Sequence, residues 1–156
     1  MQYAELFTDG IETVNARDWK THRAMLAEDI LAVDYSTGET TTGADAFVEA
    51  QRLNALAFPD QVISVTSVFE TGNVVWAELL CEGTHTGPLQ FPTGEMAPTG
   101  RRALVHVAVM CEYDADGLAC KTHAYLNPME LMAQLGGALA PPSYIDLTAH
   151  APAPTT

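Results

Sequence analysis

The chain has 156 residues, 47% of them hydrophobic, and a formal net charge of −13. That length predicts one domain able to bury its own core, and the hydrophobic content excludes a disordered chain. The acidity repels phosphate backbones, so nucleic acid is not expected as a partner.

No run of 18 apolar residues occurs, so no membrane-crossing helix is expected. The opening MQYAELFTDG lacks the basic and apolar segments of a signal peptide. Cys81, Cys111 and Cys120 are odd in number and each sits in a strand-like run. They read as reduced core thiols in a cytoplasmic protein. No Cys/His spacing suggests a metal site.

Residues 3–17 place Leu6, Phe7, Ile11 and Val14 near helical spacing, which predicts a first helix. A second, short helix carries Trp19, His22, Met25 and Leu26 on one side, with Glu28-Asp29 ending it. ILAVDY at 30–35 reads as a short strand with Asp34 near its end, and STGETTTG as turn-forming chain. A third helix is expected over 44–57, stopped by Phe58-Pro59-Asp60.

From there the hydrophobic period changes from helical to alternating. Strands are predicted over 62–70, 74–85, 101–113 and 118–126, with a turn at 71–73 and a hairpin at 114–117. The Gly/Pro/Thr-rich stretch 86–100 is long for a hairpin connection, and reads as a lid or a dimer-contact loop. Asn127 as N-cap, Pro128 at the first helical position and Glu130 at the third open a last helix over 128–135, closed by Gly136. The expected domain is 1–139, followed by a Pro/Ala-rich tail over 140–156 in which Tyr144 to Leu147 could dock. Helices followed by a meander of strands argue for an α+β fold, with a curved antiparallel sheet wrapped over the N-terminal helices.

Several short motifs recur in this order: Leu26-Ala27-Glu28-Asp29 after the Trp19 helix, Gly43-Ala44-Asp45-Ala46-Phe47, and Phe58-Pro59-Asp60. Gly83-Thr84-His85-Thr86-Gly87, Pro98-Thr99-Gly100-Arg101 and Gln134-Leu135-Gly136 follow. In their order and spacing the chain resembles the SnoaL-like polyketide cyclases, within the nuclear-transport-factor-2-like cone fold. The resemblance implies a cone with an apolar pocket, no metal or organic cofactor, and often a homodimer formed through the sheet. It also implies ring closure in polyketide intermediates by acid–base chemistry at a carbon acid, of the kind used in antibiotic biosynthesis. The family's usual acid/base is an aspartate at the end of the last strand. Asn127 stands there in this chain, and an amide has no useful proton affinity near neutral pH.

The candidate site residues follow. His123, Tyr125 and Asn127 alternate along one face of the last strand, so they leave the sheet on the same side. Asn127 either caps the last helix only or also contacts a ligand. His106, between Leu104, Val105, Val107 and Ala108, is expected in the interior, as a satisfied core residue or as an acid/base beside His123. Asp34, after four apolar residues, is expected half-buried; it either caps the turn Ser36 to Gly38 or moves a proton. In strand-end position it resembles the aspartate of epoxide-opening polyether cyclases, which pair two carboxylates, and Glu49, Glu78 and Glu112 are the options for a second. His85 reads as a loop anchor or a pocket-mouth residue. Trp76, Phe69, Phe91, Met96 and Met110 are core or pocket lining. The expected protein is a cofactor-independent cyclase or related rearrangement enzyme for a small hydrophobic, polyketide-like substrate. The alternatives are a non-catalytic carrier of the same fold and an epoxide-opening enzyme using Asp34.

Overall fold

The computed structural model describes residues 1–137; the expectations for the tail lie outside the described residues. In chain order the elements are α1 (Tyr3–Asn15), α2 (Trp19–Ala24), β1 (Leu26–Asp34), β2 (Glu39–Thr42), α3 (Ala44–Ala57), β3 (Val62–Thr71) and β4 (Val74–Thr84). They continue with β5 (Leu89–Phe91), β6 (Gly94–Met96), β7 (Arg102–Tyr113), β8 (Ala119–Leu126) and α4 (Pro128–Leu135). Six strands form one sheet in the order β2-β1-β8-β7-β4-β3, and β5 and β6 form a separate small hairpin. The fold is the expected α+β class, with a curved, mostly antiparallel sheet and helices packed on one face.

Three local expectations are corrected. Strand β1 begins at Leu26, where the end of the second helix was expected, because Leu26 pairs in parallel with Ala119 of β8. The Thr-rich turn contains β2, which pairs antiparallel with β1 from Leu31–Thr42 to Asp34–Glu39. The 86–100 stretch contains the β5–β6 hairpin, with Leu89 opposite Met96. All three pairings depend on partners that the local pattern does not reveal.

The main core lies between the helices and the sheet's inner face, where Phe7, Ile30, Ala44, Val75, Ala77, Leu79, Cys111 and Tyr113 pack together. Helix α1 runs beside β3 and β4, and α3 beside β1 and the β5–β6 hairpin. Register shifts between Val65 and Ser67 on β3, and between Glu112 and Tyr113 on β7, add local twist and help the sheet curl. Burial pushes the Cys81 thiol up to about 11 and the Cys111 thiol up to about 12, so neither is a thiolate nucleophile at neutral pH.

Candidate functional site

Pairing across the sheet decides which candidates share a face. Trp76 stands opposite Met110, and Leu80 opposite His106, across β4 and β7. Met110 stands opposite His123, and Ala108 opposite Tyr125, across β7 and β8. Neighbouring residues in register project to the same side, so Trp76, Met110, His106, His123 and Tyr125 all lie on the outer face, opposite the core packed under α1 and α3. Tyr35 joins them at the end of β1, its ring stacked on Tyr125 at 4.8 Å and 5°. Tyr125 in turn stacks on Trp76 at 6.3 Å and 23°.

His106 is corrected from interior to exposed. Its side chain is 74% exposed, with Nδ1 3.7 Å from Glu130 Oε1. Strand β7 carries apolar residues on both faces, so apolar sequence neighbours did not mean burial. His106, Tyr125, Asn127, Glu130 and Glu78 border a solvent-open groove of about 470 Å³ between the sheet and α4. Asn127 Oδ1 accepts from the Met129 N–H at 3.1 Å, which caps α4 as expected. His123 is half-buried beside Tyr35. Burial, helped by Lys121 and opposed by Glu112, holds its proton affinity below that of an ordinary histidine.

Asp34 stands on the other face. On β1 it alternates with buried Ile30 and Ala32, while Val33 stands opposite His123 on the outer side. The sheet therefore separates Asp34 from His106 and His123, and one small ligand cannot touch all three. Asp34 Oδ1 accepts from the Ser36 N–H at 2.8 Å and the Ser36 hydroxyl at 2.5 Å. Those bonds leave its second oxygen free of a hydrogen bond to any described residue. On the inner face Val107, Val109, Thr122, Ala124 and Leu126 of β7 and β8 are half-buried, as are Phe47, Val48 and Gln51 on α3, with Phe47, Val48, Val107 and Val109 packed against the main core. The paired carboxylate of the epoxide-opening expectation is not assembled. Glu49 pairs with Arg52, and Glu78 and Glu112 project from the outer face.

His85 is fully enclosed. Its Nδ1 accepts from the Thr99 N–H at 3.3 Å, and its ring lies 5.3 Å from Phe58. Phe91 and Met96, on the β5–β6 hairpin, pack with Leu131 of α4 against Ala57, Phe58, Leu89, Ala103 and Leu135. The hairpin thus bridges the end of α3 and the start of α4. Sequence reasoning assigned no site role to His22, which is 7% exposed on α2 with Nε2 lacking a partner among the described residues. No sequence spacing marks it, because its partners come from α1 and α3.

The recurring motifs prove to be the joints of this architecture. Asp60 accepts from the Thr84 N–H at 2.6 Å and the Thr84 hydroxyl at 2.7 Å, which ties Phe58-Pro59-Asp60 to the end of β4. A Cβ on Gly87 would run into the Leu56 carbonyl at the end of α3. The Gly100 N–H donates to the His85 carbonyl at 2.8 Å. Arg23 bridges Glu28 and Asp45, both at 2.7 Å, joining α2, β1 and α3. Gln134 bonds to β7, Leu135 is buried, and Gly136 takes the left-handed conformation at φ 73°. The family model for SnoaL-like polyketide cyclases matches residues 4–135, the span that holds all of these joints but Gly136.

The chain belongs to the SnoaL-like polyketide cyclase family. Among solved structures it is similar to the candidate hydroxylase AclR from Streptomyces galilaeus, at 20% identity and a TM-score of 0.73, covering 91% of this chain and 89% of that one. It is also similar to the candidate polyketide cyclase IdmH from Streptomyces antibioticus, at 22% identity and a TM-score of 0.73, covering 87% and 99%. A protein of ketosteroid isomerase-like fold from Catenulispora acidiphila, solved with trimethylamine, matches at 16% identity and a TM-score of 0.71, covering 86% and 94%. At such identities the likeness speaks for the fold. No curated protein matches the sequence. Among the described residues, no helix of this SnoaL-like chain is long and apolar enough to cross a membrane.

Proposed function

We propose that this SnoaL-like protein is a cofactor-independent cyclase, or a related rearrangement enzyme, for a polyketide-like intermediate held inside the cone. The observation that carries this reading is the half-buried strip of β7, β8 and α3 beside Asp34, whose second carboxylate oxygen has no bond to a described residue. In this reading the apolar strip confines a flexible chain in a reactive shape, which by itself lowers the barrier by several kcal/mol. The free oxygen of Asp34 takes a proton from an acidic carbon and returns it to the developing hydroxyl. His106 and His123, on the far side of the sheet, take no part.

The test uses a 1,3-dicarbonyl polyketide probe in deuterated water, with exchange at the acidic carbon followed by NMR. The wild-type chain is expected to accelerate exchange and Asp34→Asn to abolish the acceleration while still binding the probe. Equal acceleration in both proteins rejects the proposed role of Asp34. Binding without any acceleration favours the second reading, a non-catalytic carrier, which Asn127 at the end of the last strand supports.

The outer face suits a second copy of this chain. Tyr35, Phe69, Trp76, Leu104 and Tyr125 all lie exposed on it. Arg102–Glu82 and Lys121–Glu112 beside them are paired within the chain, while Glu78, on the same face, has no ion pair among the described residues. An apolar centre with mostly paired charges at its margin suits a self-associating surface.

A further inference from the structure

Strand β3 ends the main sheet, so one of its edges has no strand partner among the described residues. It runs for ten residues, Val62–Thr71, and Glu70 is its only charged side chain. A long edge of that composition pairs with another extended chain unless something guards it.

The first half is guarded. Asn15 Nδ2 donates to the Ile63 carbonyl at 2.9 Å, and Asn15 Oδ1 accepts from the Ile63 N–H at 2.9 Å. A register shift between Val65 and Ser67 then interrupts the edge. Beyond it, Thr71 pairs with Val74 across the tight turn Gly72-Asn73. So short a turn makes Thr71 and Val74 a hydrogen-bonded pair, and such pairs alternate along the strands. Thr71, Phe69 and Ser67 therefore bond to β4, and the N–H and C=O groups of Val68 and Glu70 point away from it. No other backbone group among the described residues bonds to them.

The same parity sorts the side chains. Val68 and Glu70 stand opposite Ala77 and Val75 on the inner side, and Phe69 stands opposite Trp76 on the outer side. Phe69 is 61% exposed. Glu70 accepts from the Ala4 N–H at 2.6 Å, at the start of α1. Val68 lines an open groove of about 320 Å³ with Ala4, Glu5, Thr8 and Asp9 of α1. Glu5, Asp9 and Glu70 form no ion pair among the described residues.

Those carboxylates decide between occupants. A second copy paired at this edge would set its own acidic groove, on a chain of net charge −13, against this one. A basic segment brings the opposite sign. We propose that the edge at Val68–Glu70 takes up an extended basic peptide, which adds one strand to the sheet. Peptide residues facing Val68 and Glu70 bond to their N–H and C=O groups and send Lys or Arg side chains toward Glu5 and Asp9. The residue between them is apolar and covers Phe69. The recognised pattern is basic, apolar, basic. This edge is at the far end of the sheet from β1 and Asp34, so it is separate from the proposed reaction site.

The test uses the full chain and fluorescein-labelled acetyl-TKVKVKT-amide, with binding followed by anisotropy. Wild type is expected to bind this peptide, and to bind the acidic counterpart TEVEVET about tenfold more weakly or worse. The lysine peptide methylated at its lysine backbone nitrogens keeps its charge, loses the strand donors, and is expected to bind about tenfold more weakly. Val68→Pro removes an outward N–H that the fold does not use, and should cost about as much. If that variant does not fold, Glu5→Gln with Asp9→Asn replaces it, again with about a tenfold loss expected. Hydrogen exchange should show the Val68 and Glu70 amides open in the free chain and protected when the peptide is bound. The assignment is overturned if the lysine peptide does not bind, or if the methylated peptide or the variants bind as well as the parents. It is also overturned if both amides are already protected in the free chain; protection that rises with protein concentration would make a second copy the occupant.

Discussion

The side chain of Gln134 completes the sheet at Leu104. Its Nε2 donates to the Leu104 carbonyl at 2.8 Å, and its Oε1 accepts from the Leu104 N–H at 2.7 Å. Pairing with β8 ends at Val107–Leu126, so the amide of α4 supplies at Leu104 what a further strand residue would have supplied. The Gln134-Leu135-Gly136 ending of this chain thus has a mechanical meaning. The glutamine pins the helix to the edge of β7, the leucine fills the core, and the glycine turns the chain out.

Replacing Gln134 by Ala leaves both Leu104 groups without a protein partner at a position water can reach. The expected loss is about 1–2 kcal/mol, measured by denaturant unfolding, with faster hydrogen exchange at Leu104. Gln134→Glu should recover little, because a carboxylate accepts from the N–H but repels the carbonyl.

His85→Leu should destabilise by about 1–3 kcal/mol, since it leaves the Thr99 N–H unpaired against an enclosed apolar side chain. His85 Nε2 is itself buried without a partner among the described residues, so part of the loss of the Nδ1 bond is offset. Melting temperatures of the variant and the wild type, measured side by side, check the direction.

Stability should fall on mild acidification. His22, His85 and His123 all have proton affinity lowered, in each case chiefly by burial. A group protonated more readily unfolded than folded favours the unfolded state as pH drops through its unfolded value, here about 6.5. The contribution is fully present above that value and is lost progressively below it. Asp60, whose carboxyl the Thr84 N–H and hydroxyl hold below the usual carboxylate range, adds a second loss as pH falls under about 4. Unfolding followed from pH 8 to pH 3 should show both declines, with the upper one reduced in His22→Phe.

If the outer face joins two copies, Trp76→Lys should raise the dimer dissociation constant by tenfold or more, about 1.4 kcal/mol. Light scattering against concentration checks this. A wild-type chain that stays monomeric at high micromolar concentration rejects the surface as a self-association site.

Much of the fold was legible because its signals are local. Asn127-Pro128 and Gly136 bounded α4, since a cap, a fixed φ and a left-handed residue act within one turn. Period-2 alternation found the long strands, but it could not say which side was inner. On β7, Val105, Val107 and Val109 alternate with Leu104, His106, Ala108 and Met110, and both sets look able to line a core.

The sequence by itself determined the family, the order of the helices and long strands, and the candidate acid–base set of Asp34, His106 and His123. The tertiary structure decided that this set is split. Side-chain direction along a strand is fixed by parity, but parity between strands is fixed by register, and register belongs to the pair. Val33 opposite His123 puts Asp34 on the inner face and the histidines outside. The same long-range packing brought Thr13 and Phe47 to His22, and so enclosed a histidine that no local pattern marks.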